Sequence, residues 1–301
     1  MKKIKVAIVG YGNIGKTAYE ALLAAPDMEI AGVVLRDRTK AGEKGVPAGV
    51  KIAEDIMELG KVDAALLSIP SLSVPNEAAK LLEKGINTID SYDIHGEPML
   101  ALHKKLGEIG RKHNGVAIIG AGWDPGIDSM LRGIFEFSAP KGITYTNFGP
   151  GMSMGHTVAV KAIDGVKNAL SVTIPKGTGL HRRLVYIEPE AGADWDTVFT
   201  SIKNDPYFVK DETYVMEVAD VDALQDMGHG VNMVRKGVSG QTDNQLFTFD
   251  MRINNPALTA QIMVASARAA ARLQPGCYTM PEIPVVDLLP GDRDDFIRRA
   301  V

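Results

Sequence analysis

Gly10-Tyr11-Gly12-Asn13-Ile14-Gly15 follows the apolar run Ile4-Lys5-Val6-Ala7-Ile8-Val9 and precedes Lys16 to Ala25, which has helical character. A Gly-x-Gly-x-x-Gly between a strand and a helix has a physical use at each glycine. Gly10 permits a tight turn, Gly12 lets a pyrophosphate approach the backbone, and Gly15 lets helix and strand pack closely. The phosphates then meet the free N–H groups and positive end of the helix. The reading is a dinucleotide site at the start of an alternating α/β chain.

The alternation continues outward from that loop. Met28 to Val34, Asp63 to Ile69, Asn87 to Tyr92 and Gly115 to Gly122 read as strands, with helices over Pro75 to Gly85 and Glu97 to Asn114. Strand–helix alternation predicts a doubly wound, Rossmann-type parallel sheet. Ligands collect at the carboxyl ends of such strands. That edge carries Arg36, then Pro70-Ser71, then Ser91-Tyr92-Asp93, then Trp123-Asp124.

The end of the second strand selects the cofactor. An acidic residue about 20 positions beyond the glycine loop suits the ribose of NAD, whereas arginine suits the 2′-phosphate of NADP. The chain has Arg36-Asp37-Arg38 there. Two guanidinium groups outweigh one carboxylate, so NADP is expected, with Asp37 as the residue that would favour NAD.

Alternation stops near Ala139-Pro140. Ile143 to Phe148, Ser171 to Ile174, Leu184 to Ile187 and Tyr214 to Val218 read as strands, and Asp194 to Asn204 as a helix. Met152-Ser153-Met154-Gly155-His156 reads as a loop leading to a helix around Val158 to Ile163. Gly230 to Arg252 is broken by Gly237 to Asn244, as in a hairpin. Pro256 to Leu273 is a helix capped by Asn255. The expectation is a dinucleotide domain over 1–120 plus about 274–301, and an α+β substrate and dimerisation region over 121–273.

Bulk properties narrow the function. The 301 residues are 45% hydrophobic, enough for two cores, and the net charge of −4 disfavours a nucleic-acid partner. A single cysteine, Cys277, leaves no disulfide framework or cysteine-based metal cluster. No apolar run is long enough to span a membrane. Met1-Lys2-Lys3-Ile4 leads directly into a strand without a cleavage region, so a cytoplasmic protein without a membrane partner is expected.

The candidates for chemistry lie on the sheet edge. Asp124, beside Trp123, suits holding an ammonium or moving a proton; alternatively Asp124 or Asp128 caps the next helix. Asp93 is likewise either a ligand group or part of a polar turn. His95 has no metal partners at ligand spacing. Arg182-Arg183 offers a bidentate clamp for a carboxylate or a solvent-facing pair. His229 is either a substrate donor or a turn histidine, and Asn255 either a ligand contact or a helix cap.

Together these segments resemble the meso-diaminopimelate dehydrogenases. The resemblance spans the chain and rests on Val9 to Gly15, Asp90-Ser91-Tyr92-Asp93-Ile94-His95, Gly122 to Gly126, Phe148-Gly149-Pro150-Gly151 with Gly155-His156, and Asn255-Pro256. It implies an NADP-dependent homodimer. The implied reaction converts the D-centre of meso-2,6-diaminopimelate to L-2-amino-6-oxopimelate with release of ammonia, in lysine biosynthesis. Asp93 and Asp124 are implied at the reacting amino group, walled by Trp123 and Phe148. Met152 and Met154 are implied in a closing loop, and Thr173, Arg183, His229 and Asn255 at the remote end. Gly10, Gly12, Asn13, Ile14, Gly15, Arg36, Arg38, Ser68, Pro70, Ser71, Ser91, Tyr92, Asp93, Gly122, Pro125 and Gly126 are implied around the cofactor.

The Met152-Ser153-Met154 loop and the short Thr173 to Arg183 stretch resemble the branch that tolerates other D-amino acids. A carboxylate, Asp124 through a water, is the expected proton carrier. The rival readings are another amino-acid-pathway reductase of the dihydrodipicolinate reductase type, and a non-catalytic NADP-sensing regulator.

Overall fold

Val6, Ala7 and Ile8 have no exposed surface, because β1 (Ile4–Val9) runs through the middle of a parallel sheet. The structure, a computed structural model, describes residues 3–224 and 228–301; Met1 and Lys2, part of the N-terminal segment that carried the leader reading, lie outside the described residues. After β1 come α1 (Asn13–Leu23), β2 (Met28–Val34), β3 (Ile52–Ala53), β4 (Ala64–Leu67), α2 (Val74–Glu83), β5 (Asn87–Asp90), α3 (Glu97–His113), β6 (Val116–Ile119) and α4 (Ile127–Ser138). Then follow β7 (Lys141–Phe148), β8 (Gly151–Met152), α5 (Met154–Lys161), β9 (Val166–Gly177), β10 (Leu180–Pro189), α6 (Trp195–Asn204), β11 (Glu212–Glu217), β12 (His229–Ser239) and β13 (Thr242–Ile253). The chain closes with α7 (Asn255–Ala270), β14 (Gly276–Thr279), α8 (Val285–Leu288) and α9 (Arg293–Ala300).

Two compact units result, one of Met1–Gly133 with Pro256–Val301 and one of Ile134–Asn255. The first holds a seven-stranded sheet in the order β14-β6-β5-β4-β1-β2-β3, with every pair parallel. The order reverses between β1 and β4, which opens a crevice at their carboxyl ends. Its core is aliphatic: Ala65, Leu67, Leu82, Leu106 and Ile119 are all buried.

Two local readings change. The helix α1 starts at Asn13 instead of Lys16, directly after Gly12, so the glycine loop delivers the helix terminus without a spacer. Residues 152–156 are not one loop: Met152 pairs with Val172 as part of β8, and α5 begins at Met154. The helix over 255–270 packs in the first unit, and the compact units divide near 133 and 255. Arg268 bonds both Asp27 oxygens at 2.7 and 2.8 Å, and Ser266 Oγ lies 3.4 Å from Met280 Sδ. These long-range bonds, which sequence periodicity does not reveal, tie α7 to the segment before β2 and the segment after β14.

The second unit has a four-stranded sheet, β11-β10-β9-β8, and a three-stranded sheet, β13-β12-β7. Val160, Ala169, Val185, Ile187, Ile202 and Phe208 bury one face of the larger sheet against α5 and α6. The hairpin expected over 230–252 is β12–β13, in one register from His229↔Ile253 to Gly237↔Gln245 and shifted before Ser239↔Thr242. No helix among the described residues is long and apolar enough to cross a membrane.

Candidate active site

In the first unit the glycine loop separates structural from ligand-facing glycines. A Cβ on Gly10 would lie 2.5 Å from the Ser68 carbonyl oxygen, and one on Gly15 would collide with the Gly10 carbonyl. Gly10 also has φ +88°, in the left-handed region that favours glycine. A Cβ on Gly12 would meet no protein atom within 4 Å. Packing explains Gly10 and Gly15; open space explains Gly12. That space adjoins the N-terminus of α1, whose cap provides no side-chain hydrogen bond. Free N–H groups facing a void fit a pyrophosphate.

The void continues into a cavity of about 550 Å³ whose lining includes Gly10, Gly12, Arg36, Ser68, Pro70 and Ser73. Lys40 and Lys44 line it too, and their spacing in a turn gave no signal in the sequence. Arg36 is exposed, with Nη2 3.4 Å from Ser73 Oγ. Arg38, expected at the 2′-phosphate, does not line the cavity. It pairs with Glu58 at 3.0 Å and with Glu54 at 3.5 Å. Asp37 accepts bonds from Thr39 N at 3.0 Å and Thr39 Oγ1 at 2.5 Å, which hold its carboxyl below the usual range. It caps a short turn, as Asp commonly does. The cations facing the cavity are therefore Arg36, Lys40 and Lys44, and they fit a 2′-phosphate.

Further along the edge, Ser71 Oγ donates to Asp93 Oδ1 at 2.6 Å. Asp90, with no exposed surface, accepts from Tyr92 N at 2.9 Å and Gly120 N at 3.3 Å. It thereby ties the Ser91–Asp93 turn to the end of β6. Burial pushes the Asp90 carboxyl up to about 7.

The Gly122–Gly126 segment folds on itself: Gly122 N donates to Pro125 O, and a Cβ on Gly126 would overlap the Gly122 carbonyl. Its Asp124-Pro125 peptide bond is cis. Trp123 is buried, at 6% exposure. Asp124 is half-buried, and its carboxyl is pushed up to about 7. Burial is the main cause; the negative charge of Asp128 and a hydrogen bond to it add to the rise, Arg132 opposes it, and Asp93 adds further. Asp128, which the sequence offers only as a helix cap, is 1% exposed and takes Arg132 Nε at 3.0 Å.

The second unit builds a separate polar cradle. Strand alternation separates Arg182 from Arg183. Arg182 pairs with Glu212 at 3.0 Å and lies over the Tyr214 ring. Arg183 opposes Thr173 across the β9–β10 ladder and donates to its Oγ1, while Nε meets Asp211 Oδ2 at 2.6 Å. Asp211 is a residue that sequence reading missed, since nothing in a strand-entry Asp marks it.

Three histidines border this arginine. Burial and Arg183 push His156 down to about 4, and burial lowers His181 and His229 as well. All three are thus neutral at pH 7. His181 Nε2 accepts the Phe148 N–H at 2.8 Å, and Phe148 stacks on His229 at 6.5 Å between ring centroids. His229 hydrogen-bonds the Gly151 and Met152 backbone. Ser153 Oγ lies 2.7 Å from His156 Nδ1, at the start of α5 beside Met154. Phe148, Met152, Thr173, Arg183 and His229 are thus brought together, while Asn255 opens α7. Among the described residues no group of His, Cys, Asp and Glu could hold a metal ion.

Comparison with known proteins adds to this geometry. A family described as "Diaminopimelic acid dehydrogenase C-terminal domain" matches residues 122–255, and "Oxidoreductase family, NAD-binding Rossmann fold" matches residues 4–90. The chain is 60% identical to the meso-diaminopimelate D-dehydrogenase of Bacteroides fragilis, over 100% of both chains. Its fold matches the diaminopimelate dehydrogenase of C. glutamicum, solved in complex with DAP, at TM-score 0.89 and 28% identity over 100% of both chains. It also matches an engineered D-amino acid dehydrogenase bound to NADP+, at TM-score 0.83 and 27% identity over 100% of both chains.

Proposed function

The chain belongs to the meso-diaminopimelate D-dehydrogenase family, and from that premise we propose how its residues perform the reaction. The protein is an NADP-dependent oxidoreductase. It converts meso-2,6-diaminopimelate, NADP+ and water to L-2-amino-6-oxopimelate, NADPH, ammonia and a proton. Family membership answers the two rivals, a reductase of the dihydrodipicolinate type and a non-catalytic sensor. The observation that carries the reading is full-length identity of 60% together with the Asp124 carboxyl on the sheet edge.

NADP, when bound, supplies the hydride acceptor. Gly12 and the α1 terminus take its pyrophosphate, and Arg36, Lys40 and Lys44 take the 2′-phosphate. Asp93 and Asp124 hold the reacting ammonium. Asp124, with its carboxyl near 7, accepts the amine proton in its ionised form as the C–H bond breaks, releases that proton to solvent, and then moves a proton from the water that attacks the imine carbon to the departing nitrogen. Trp123, buried beside Asp124, excludes bulk water from it. Arg183, set by Thr173 and Asp211, takes the remote carboxylate, with neutral His229 and Asn255 as further partners. Fixing that end allows one α-hydrogen to reach the acceptor, which gives D-selectivity.

The protein works as a cytoplasmic homodimer, as the family resemblance implies, and it accepts simple D-amino acids slowly, a reading supported by the Met152-Ser153-Met154 segment. Purified protein is incubated with NADP and, separately, meso-diaminopimelate, its L,L-isomer and simple D-amino acids, while nicotinamide absorbance is followed. Reduction fastest with the meso form is expected. Reduction with another amino acid alone would place the specificity elsewhere, and size-exclusion chromatography tests the dimer.

A further inference from the structure

Asp128 lies in the first turn of α4 with its carboxylate 2% exposed, and its bonds run to protein groups. Arg132 Nε donates to Oδ2 at 3.0 Å from one helical turn on. Ser129 Oγ donates to Oδ1 at 3.1 Å and itself accepts the Gly126 N–H at 3.3 Å. The Asp128 N–H donates to the Trp123 carbonyl at 3.0 Å, and Ile127 N–H donates to that of Gly122 at 3.1 Å. The start of α4 is thereby fixed to the segment bearing Asp124. Arg132 is 40% exposed, so the cation meets solvent while the carboxylate it bonds does not.

A carboxyl pair in hydrogen-bond contact holds one proton between its members, since two ionised oxygens repel at that distance. Which member carries it depends on where the counter-ion sits. Here the counter-ion bonds Asp128 directly, and the Asp93 carboxyl lies near enough to Asp124 to add to its rise.

We propose that Asp128 and Arg132 are positioning residues that fix the shared proton on Asp124, with the charge held on Asp128 by Arg132. The Ser129 hydroxyl, donating to Asp128 Oδ1, stabilises the same distribution. Asp124 is then the member of the pair that exchanges the proton near neutral pH, acting as a base in its ionised form and regaining the proton without moving, while its partner remains anionic behind it. The consequence for turnover rests on the reading that Asp124 handles the amine proton; the proton distribution itself does not.

The test uses the full chain and three variants, Asp128→Asn, Arg132→Met and Arg132→Lys. The Asp124 carboxyl is titrated by carbon NMR with labelled aspartate, its signal assigned by its loss in Asp124→Asn. The pH profile of kcat with NADP and meso-diaminopimelate is measured in parallel. Asp128→Asn removes the repelling charge and moves the Asp124 titration down by about one pH unit or more. Arg132→Met removes the cation and moves the last deprotonation of the pair up by a similar amount, and Arg132→Lys restores it. A merely structural role would lower activity without opposite displacements of the titration. If the carboxyl titration stays put or both variants move it the same way, the proposal is overturned. If the titration moves as expected while the kinetic limb does not, the dyad stands and the assignment of Asp124 as proton carrier falls.

Discussion

Arg183 and Asp211 form an ion pair of 2.6 Å, with side chains 12% and 22% exposed, so the arginine is held in place by a partner from outside its own strand. A charge-assisted bond of this kind is worth about 1.5–3 kcal/mol. Arg183→Met is expected to raise KM for meso-diaminopimelate about tenfold to hundredfold. Asp211→Asn should raise it by less, because the arginine remains but is less constrained. Steady-state kinetics at saturating NADP provides the comparison.

The glycine loop yields a paired prediction. Gly12→Ala adds a Cβ to open space and should leave the melting temperature of the free protein unchanged while weakening NADP binding. Gly15→Ala places a Cβ against the Gly10 carbonyl and should lower the melting temperature by several degrees, at a cost of about 1–3 kcal/mol. Thermal melts with and without NADP separate the two.

Cofactor choice should depend on Arg36 and not on Arg38. Arg36→Ala is expected to raise KM for NADP about tenfold or more, the loss of a charge-assisted phosphate contact, with little change for NAD. Arg38→Ala breaks the surface pairs with Glu54 and Glu58 and should leave both constants near their starting values.

Asp90 gives a pH-dependent prediction. Its folded carboxyl, near 7, lies above the unfolded value of about 3.9. The folded state therefore binds the extra proton between those values, and stability falls as pH rises through that window. Asp90→Asn removes this dependence. The variant should gain on the parent protein as pH rises from about 4 to 7, by up to a few kcal/mol, since each tenfold difference in proton affinity is worth about 1.4 kcal/mol. Denaturant melts across that range would show no pH trend in the difference if Asp90 were ionised throughout.

The parallel sheet was legible because buried parallel strands read as apolar runs, as in Val6 to Val9 and Ala64 to Leu67. Gly10 and Gly15 were legible for the same local reason: a turn and a close approach act within a few residues. Asp93, Trp123 and Asp124 were marked by their place at strand ends. The contributions of Lys40, Lys44, Asp128, Arg132 and Asp211 were not legible, because each depends on a partner or cavity created by the fold. Arg38 shows the converse. Its position fitted a phosphate ligand, yet Glu54 and Glu58 were near enough to take it. The edge of the second unit was hidden for a related reason, since α7 has the composition of any buried helix until Arg268 meets Asp27.

The central claim is that Asp124 carries the protons of the reacting amine and of the attacking water. Asp124→Asn preserves the shape of the side chain and removes its acid–base chemistry. Turnover of meso-diaminopimelate by this variant, measured beside its NADP affinity, tests the claim most directly. A fall of about 10²–10⁴-fold in kcat with NADP binding unchanged is expected; near-normal turnover would contradict the account.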